Sequence, residues 1–257
     1  MSKAAHTVYP PIDRRRAAVQ LVGGGLVLAL GLSVIGWLIV DVDITRPLIA
    51  WEESVNGWFV DHRTPFLNTL TQAGSTLADT FSCIALLIVM VVVTRLWLGR
   101  WREPLVLGAA IMGELLVFLI VTAAVQRDRP DVLQLDAAPP TSSFPSGHTA
   151  AAVALYGCIA VIVNREMRTK WLALLIAAAS WAVPAVVGIS RVYRGMHYPV
   201  DVIFGYIGGG LWLTIVLVTL LPVARRRVAM ERRPLPSATS RTLAPDPALP
   251  AHPLGRA

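Results

Sequence analysis

The sequence predicts an all-α fold, a polytopic membrane bundle with six transmembrane helices, and three observations point there. The 257 residues are 55% hydrophobic and only 15% charged, a composition and length suited to one helical membrane domain. Six segments approach the roughly 20 predominantly apolar residues that a helix needs to cross a hydrocarbon core. The basic residues, which leave a formal charge of +7, sit in short clusters beside those segments. Such clusters anchor a chain at membrane surfaces, so no nucleic-acid partner is expected.

The segments are approximately 18–40, 73–94, 104–125, 147–164, 171–189 and 202–222. Arg14, Arg15 and Arg16 before the first resemble the start of a secretory signal, but Ala17 to Val40 is too long for its apolar core. No small-residue cleavage pattern follows, so this span is read as retained. Thr76, Asp79 and Thr80 weaken the start of the second span, and Pro184 should kink the fifth or mark a locally repacked turn. Cys83 and Cys158 fall within apolar runs as small packing residues.

Between the first two spans, Leu48, Trp51, Val55, Trp58 and Phe59 recur at helical spacing, with Glu52, Glu53, Asn56 and Asp61 on other faces. That pattern suits a helix near 47–60 lying in the interface, or an ordinary loop helix outside the membrane. After Arg233 the chain turns to Pro, Ala, Ser and Thr without apolar periodicity. The expected organisation is therefore a cytoplasmic segment 1–17, a six-span domain 18–222, and a tail 223–257, first basic and then Pro/Ala-rich, disordered and cytoplasmic.

Positive residues are retained on the cytoplasmic side of short flanks. One side collects Arg14–Arg16, Arg95, Arg100, Arg102, Arg165, Arg168, Lys170 and Arg225–Arg227. Both termini are therefore expected in the cytoplasm of a multi-pass cell-membrane protein. The other side holds three polar segments that are distant in sequence: Gln126 to Pro130, Pro145 to His148, and Ser190 to Asp201.

Each segment suits an anion. Arg129 is disfavoured on that side by the positive-inside rule, and its guanidinium fork matches phosphate oxygens. Ser146 and Gly147 open a helix whose free N–H groups attract negative charge, although Ser146 also reads as a plain N-cap. His148 follows them directly. His197 precedes Asp201 by one helical turn if the last span begins near Pro199, so the carboxylate can hold one imidazole nitrogen and leave the other free to attack phosphorus. Arg191 can neutralise the phosphoryl oxygens.

Together, Pro145-Ser146-Gly147-His148 and Ser190-Arg191, five residues, His197, three residues and Asp201 resemble the type 2 phosphatidic acid phosphatase superfamily. That superfamily includes lipid phosphate phosphatases and shares its site with vanadium-dependent haloperoxidases. The resemblance implies His197 as nucleophile oriented by Asp201, and His148 as the acid that protonates the leaving oxygen. Arg129, Ser146, Gly147 and Arg191 would hold the phosphoryl group, with no metal or other cofactor. One position departs: Thr122 stands where the family carries Lys seven residues before the Arg of Arg-Pro. Thr122 is expected to share a helix face with Arg129, and Arg127 and Arg194 are candidate replacements for the missing cation.

The expected function is removal of phosphate from a lipid-linked monoester or diphosphate in the bilayer, on the extracytoplasmic face. Polyprenyl diphosphate, phosphatidic acid and phosphatidylglycerol phosphate are the candidate substrates, with a mild preference for the first. A phosphatase of lipid-linked sugar phosphates and a catalytically silent lipid-binding scaffold are the alternatives. Oligomeric state is not legible.

Overall fold

Hydrocarbon offers the backbone no hydrogen-bond partner, and a chain this apolar satisfies its peptide groups inside helices. The computed structural model describes residues 11–41 and 46–221. Those residues form α1 (Arg14–Asp41), α2 (Arg46–Asp61), α3 (Pro65–Thr76), α4 (Thr80–Leu98), α5 (Arg102–Ala124), α6 (Gly147–Glu166), α7 (Lys170–Tyr193) and α8 (Pro199–Leu220), with no strand among them. Six of these, α1 and α4 to α8, are long and apolar enough to cross a membrane. The first ten residues, the junction 42–45 and the tail with Arg225–Arg227 lie outside the described residues.

The second span differs from the expectation. Residues 73–76 belong to α3, and the crossing helix begins only at Thr80. The polar residues cause the break: the Asp79 side chain accepts the Ser82 N–H at 2.7 Å and caps α4. Thr64 caps α3 in the same way through the Leu67 N–H, with Pro65 in the first helical position. In α7 the helix continues through Pro184, whose carbonyl accepts the Tyr206 hydroxyl at 2.6 Å.

Helix α6 lies at the centre, against α5, α7 and α8, with Ala152, Ala154, Leu155, Cys158 and Ile162 fully buried. The outward faces carry exposed Leu26, Phe81, Ile88, Leu116, Leu175 and Val218, a surface suited to lipid rather than water. Helices α6 and α8 meet at backbone distance. A Cβ on Gly205 would fall 2.7 Å from the Ser146 carbonyl oxygen, and one on Gly209 would fall 2.6 Å from that of Ala150. This small-residue spacing lets two membrane helices touch along their backbones.

Helix α2 is amphipathic in the opposite sense to a surface helix. Trp51 and Trp58 are 48% and 55% exposed, whereas Glu52 and Asn56 are 0% and 1% exposed. Its polar stripe faces the ends of α7 and α8, where charged partners await it. At the other end of the bundle, Arg100 between α4 and α5 pairs with Glu103 at 2.6 Å and Glu166 at 2.9 Å, tying α5 to α6.

Candidate active site

The three polar segments converge where α5 and α7 end and α6 and α8 begin. The 125–146 connection folds back on itself, with the Ser143 N–H donating to the Arg127 carbonyl at 2.9 Å and the Leu135 N–H to the Arg194 carbonyl at 3.0 Å. Arg63 fastens it from outside by donating to the Leu133 carbonyl at 2.6 Å and to Tyr193 at 2.9 Å. Helix α7 stops in a double-bonded C-terminal turn: Met196 N–H reaches the Arg191 carbonyl and Gly195 N–H that of Val192, both at 3.0 Å. Gly195 has φ 74°, and a Cβ there would also press on Val132 at 2.8 Å. This reversal delivers His197 beside Arg191, and Pro199 then starts α8.

His197 is buried, and its Nδ1 lies 2.7 Å from the Ser143 carbonyl. A carbonyl only accepts, so Nδ1 carries the proton and Nε2 keeps its lone pair. Burial disfavours protonation of this ring, Arg191 and Arg129 add to that, and Asp201 opposes it. The outcome is a pKa below the ordinary imidazole value.

Direct orientation by Asp201 was the expectation, and the geometry differs. Asp201 Oδ2 is 3.8 Å from Nδ1, too far for a hydrogen bond. Its oxygens instead accept from Arg127 Nη1, from the Ser143 hydroxyl at 2.7 Å and from the Tyr198 N–H at 2.9 Å. Asp201 thus faces the imidazole at ion-pair distance and also holds Ser143, whose carbonyl takes the Nδ1 hydrogen bond.

His148 sits in the first turn of α6, partly exposed and within electrostatic reach of Arg191 and His197. Arg191 donates to Ser75 Oγ at 2.9 Å and to Asp136 at 3.0 Å, while Arg129 donates to the Met196 carbonyl at 2.7 Å. The Nε of each is buried without a partner. Such donors are costly unless something accepts from them, and phosphate oxygens are suited to do so.

The remaining expected residues are placed less directly. Ser146 is the α6 N-cap by position, but its hydroxyl pairs with Thr149 Oγ1 at 3.0 Å. A Cβ on Gly147 would meet the Phe118 ring at 2.8 Å, so packing already demands glycine there. Thr122 is buried in the last turn of α5 with its hydroxyl unpartnered. It does not share a helix face with Arg129, because α5 ends at Ala124 and the chain turns extended at Val125.

Arg127 and Arg194, the candidate replacement cations, are both engaged by carboxylates. Arg127 is buried, spans Asp201 and Glu52, and stacks 4.4 Å from the Tyr198 ring centre. Asp201 and Glu52 outweigh the effect of burial on it and hold its pKa above the ordinary guanidinium value. Arg194 donates Nε and Nη2 to Asp136 at 2.8 and 2.6 Å. Burial works to raise the Asp136 pKa, yet Arg194 and Arg191 more than reverse it. Sequence reading missed Ser143, Asp136, Glu52 and Asn56. Only Glu52 and Asn56 carried a signal, as polar residues spaced one turn apart in an aromatic-rich helix.

The fold and site define a multi-pass helical membrane protein with two imidazoles, the buried guanidinium of Arg191 and the half-buried one of Arg129 gathered at one end of its bundle. A sequence model of the PAP2 superfamily matches residues 103–224, which include both histidines. A phosphatidylglycerophosphatase B of Bacillus subtilis is 28% identical over 176 residues, covering 67% of this chain and 84% of that protein. A lipid A 1-phosphatase of Rhizobium etli is 30% identical over 159 residues, or 58% of this chain and 61% of the relative. The crystal structure of a transmembrane PAP2-type phosphatidylglycerolphosphate phosphatase from Bacillus subtilis matches in fold with a TM-score of 0.69 at 22% identity, covering 81% of this chain and 100% of that one. Over residues 103–224, a little under half of its length, the chain is similar to the PAP2 superfamily, and these relatives are named as lipid phosphatases.

Proposed function

We propose that this phosphatase removes the terminal phosphate of a lipid monoester or diphosphate through a phosphohistidine on His197. The observation that carries the reading is the Nδ1 hydrogen bond to the Ser143 carbonyl, which leaves Nε2 as the nucleophilic atom. Nε2 bonds to phosphorus as the bond to the lipid oxygen breaks, and His148 gives that oxygen its proton. Water then attacks the phosphohistidine, His148 takes its proton back, and inorganic phosphate leaves. Arg129 and Arg191 neutralise the phosphoryl oxygens in both steps.

Catalysis is assigned to the extracytoplasmic face. Arg95, Arg100, Arg102, Arg165, Arg168 and Lys170 lie at the helix ends opposite the histidines, which supports that assignment through the positive-inside rule. The relatives' names support a glycerolipid or lipid A phosphate as substrate class, and polyprenyl diphosphate shares the chemistry of a phosphate on an apolar tail. The test is phosphate release in detergent from polyprenyl diphosphate, phosphatidic acid and phosphatidylglycerol phosphate, with and without millimolar vanadate. Turnover of at least one, suppressed by vanadate, is expected. An enzyme inert toward all three would leave the silent-scaffold reading standing.

A further inference from the structure

Outside the phosphate pocket, the bundle buries a second set of charges behind His197, and their layout is unlike simple packing. Glu52 and Asn56 lie one turn apart on the inward stripe of α2. Asn56 Nδ2 donates to the His197 carbonyl at 3.2 Å. Glu52 Oε2 accepts from Arg127 Nη2 at 2.5 Å, and its Oε1 accepts the Val200 N–H in the first turn of α8 at 3.1 Å. Arg127 continues to Asp201, Asp201 to the Ser143 hydroxyl, and the Ser143 carbonyl to the His197 ring.

We propose that Glu52 and Asn56 are positioning residues for the nucleophile. Asn56 fixes the His197 backbone, and Glu52, through Arg127 and Asp201, fixes the carbonyl that orients the imidazole. The proposal rests on the phosphohistidine reading above. Burying three ions costs several kcal/mol each before pairing, so a helix that only needed anchoring would be held more cheaply by apolar contacts. The charges also fit the chemistry. Two carboxylates against one guanidinium leave one negative charge in excess beside His197. When Nε2 bonds to phosphorus with Nδ1 still protonated, the ring becomes cationic, and that excess stabilises it. The other charged groups around the ring are Arg129 and Asp136 from the 125–146 connection, Arg191 from α7 and His148 from α6; Asp136 is taken up by Arg191 and Arg194, so the compensating sign falls to Asp201 and Glu52.

Glu52→Gln preserves shape and removes the charge. With a substrate from the panel above, kcat should fall about 10- to 100-fold, the range found when groups supporting a catalytic ligand are removed. KM should change little, and the acid limb of kcat/KM should move to lower pH because the imidazolium loses support. Glu52→Asp should recover much of kcat, and the exposed neighbour Glu53→Gln should behave as wild type. Wild-type kcat in Glu52→Gln, or a loss of kcat with the acid limb unmoved, overturns the proposal. NMR of the His197 ring nitrogens on isotope-labelled protein in detergent reads the same network without turnover. Nδ1 protonation in wild type, with a titration displaced in Glu52→Gln or Glu52→Asp, is expected; Nε2 protonation or identical titrations overturn the proposal. An inert wild type that still shows the Glu52-dependent titration would refute the phosphatase chemistry alone.

Discussion

An arginine lies between two carboxylates at both ends of this bundle, and the two triads differ in surroundings. Arg100 spans Glu103 and Glu166 with 26% of its side chain exposed, while Arg127 spans Glu52 and Asp201 with 7% exposed. The first joins two membrane helices at the basic end, where the described chain places no histidine. The second stands behind His197, in a medium where charges act over longer distances because little water screens them. Equal pairing chemistry thus yields a fastener in one place and, on the mechanism proposed above, electrostatic support for a reacting atom in the other.

The contrast breaks most sharply at the imidazoles. His197→Ala should lower phosphate release by at least about 1,000-fold, since the covalent route is lost, while leaving the helical content unchanged by circular dichroism. Retention of turnover would detach the whole polar end from chemistry. His148→Ala should cost about 100- to 10,000-fold, the span for loss of a general acid, and substrates with better leaving groups should lose less. Equal losses for good and poor leaving groups would take the proton donor's role from His148.

A pH profile sharpens the comparison. The folded-state pKa of His197 is lowered, chiefly by burial, so its neutral nucleophilic form persists as pH falls through the ordinary imidazole value of about 6.5. The acid limb of kcat/KM should therefore lie below that value. The unfolded chain takes up the proton first, so this group's linkage lowers stability as pH drops through the unfolded value. An acid limb at or above 6.5 would contradict the buried, arginine-flanked ring. The smallest effect is expected at the basic end: Glu103→Gln should lower stability by about 1 to 3 kcal/mol in thermal unfolding and leave kcat unchanged. A fall in kcat there would erase the distinction between the ends.

Much of this was legible in the chain. Apolar runs marked all six crossing helices, because no other structure hides so many peptide groups from lipid. Pro199 marked the start of α8, and the polar segments stood out against their apolar context. The break at Thr76 to Thr80 was visible as polarity but not as a cap, since a capping Asp and an inconvenient intramembrane Asp look alike until the backbone is seen. Arg127 and Arg129 are chemically identical and two residues apart. Only the end of α5 at Ala124 sends one toward Asp201 and the other toward Met196. For α2, periodicity gave the two faces but not which faced lipid. That choice depended on an arginine 75 residues away in sequence.

The contact of Gly205 and Gly209 with the backbone of α6 has a consequence for spacing. His148 rides on α6 and His197 lies just before α8, so the thickness of this seam contributes to the gauge between the proposed nucleophile and the proposed proton donor. A displacement of about 1 Å at reacting groups can cost a hundredfold in rate. Two hydrogen atoms standing where side chains would be are, in that sense, part of the instrument's calibration.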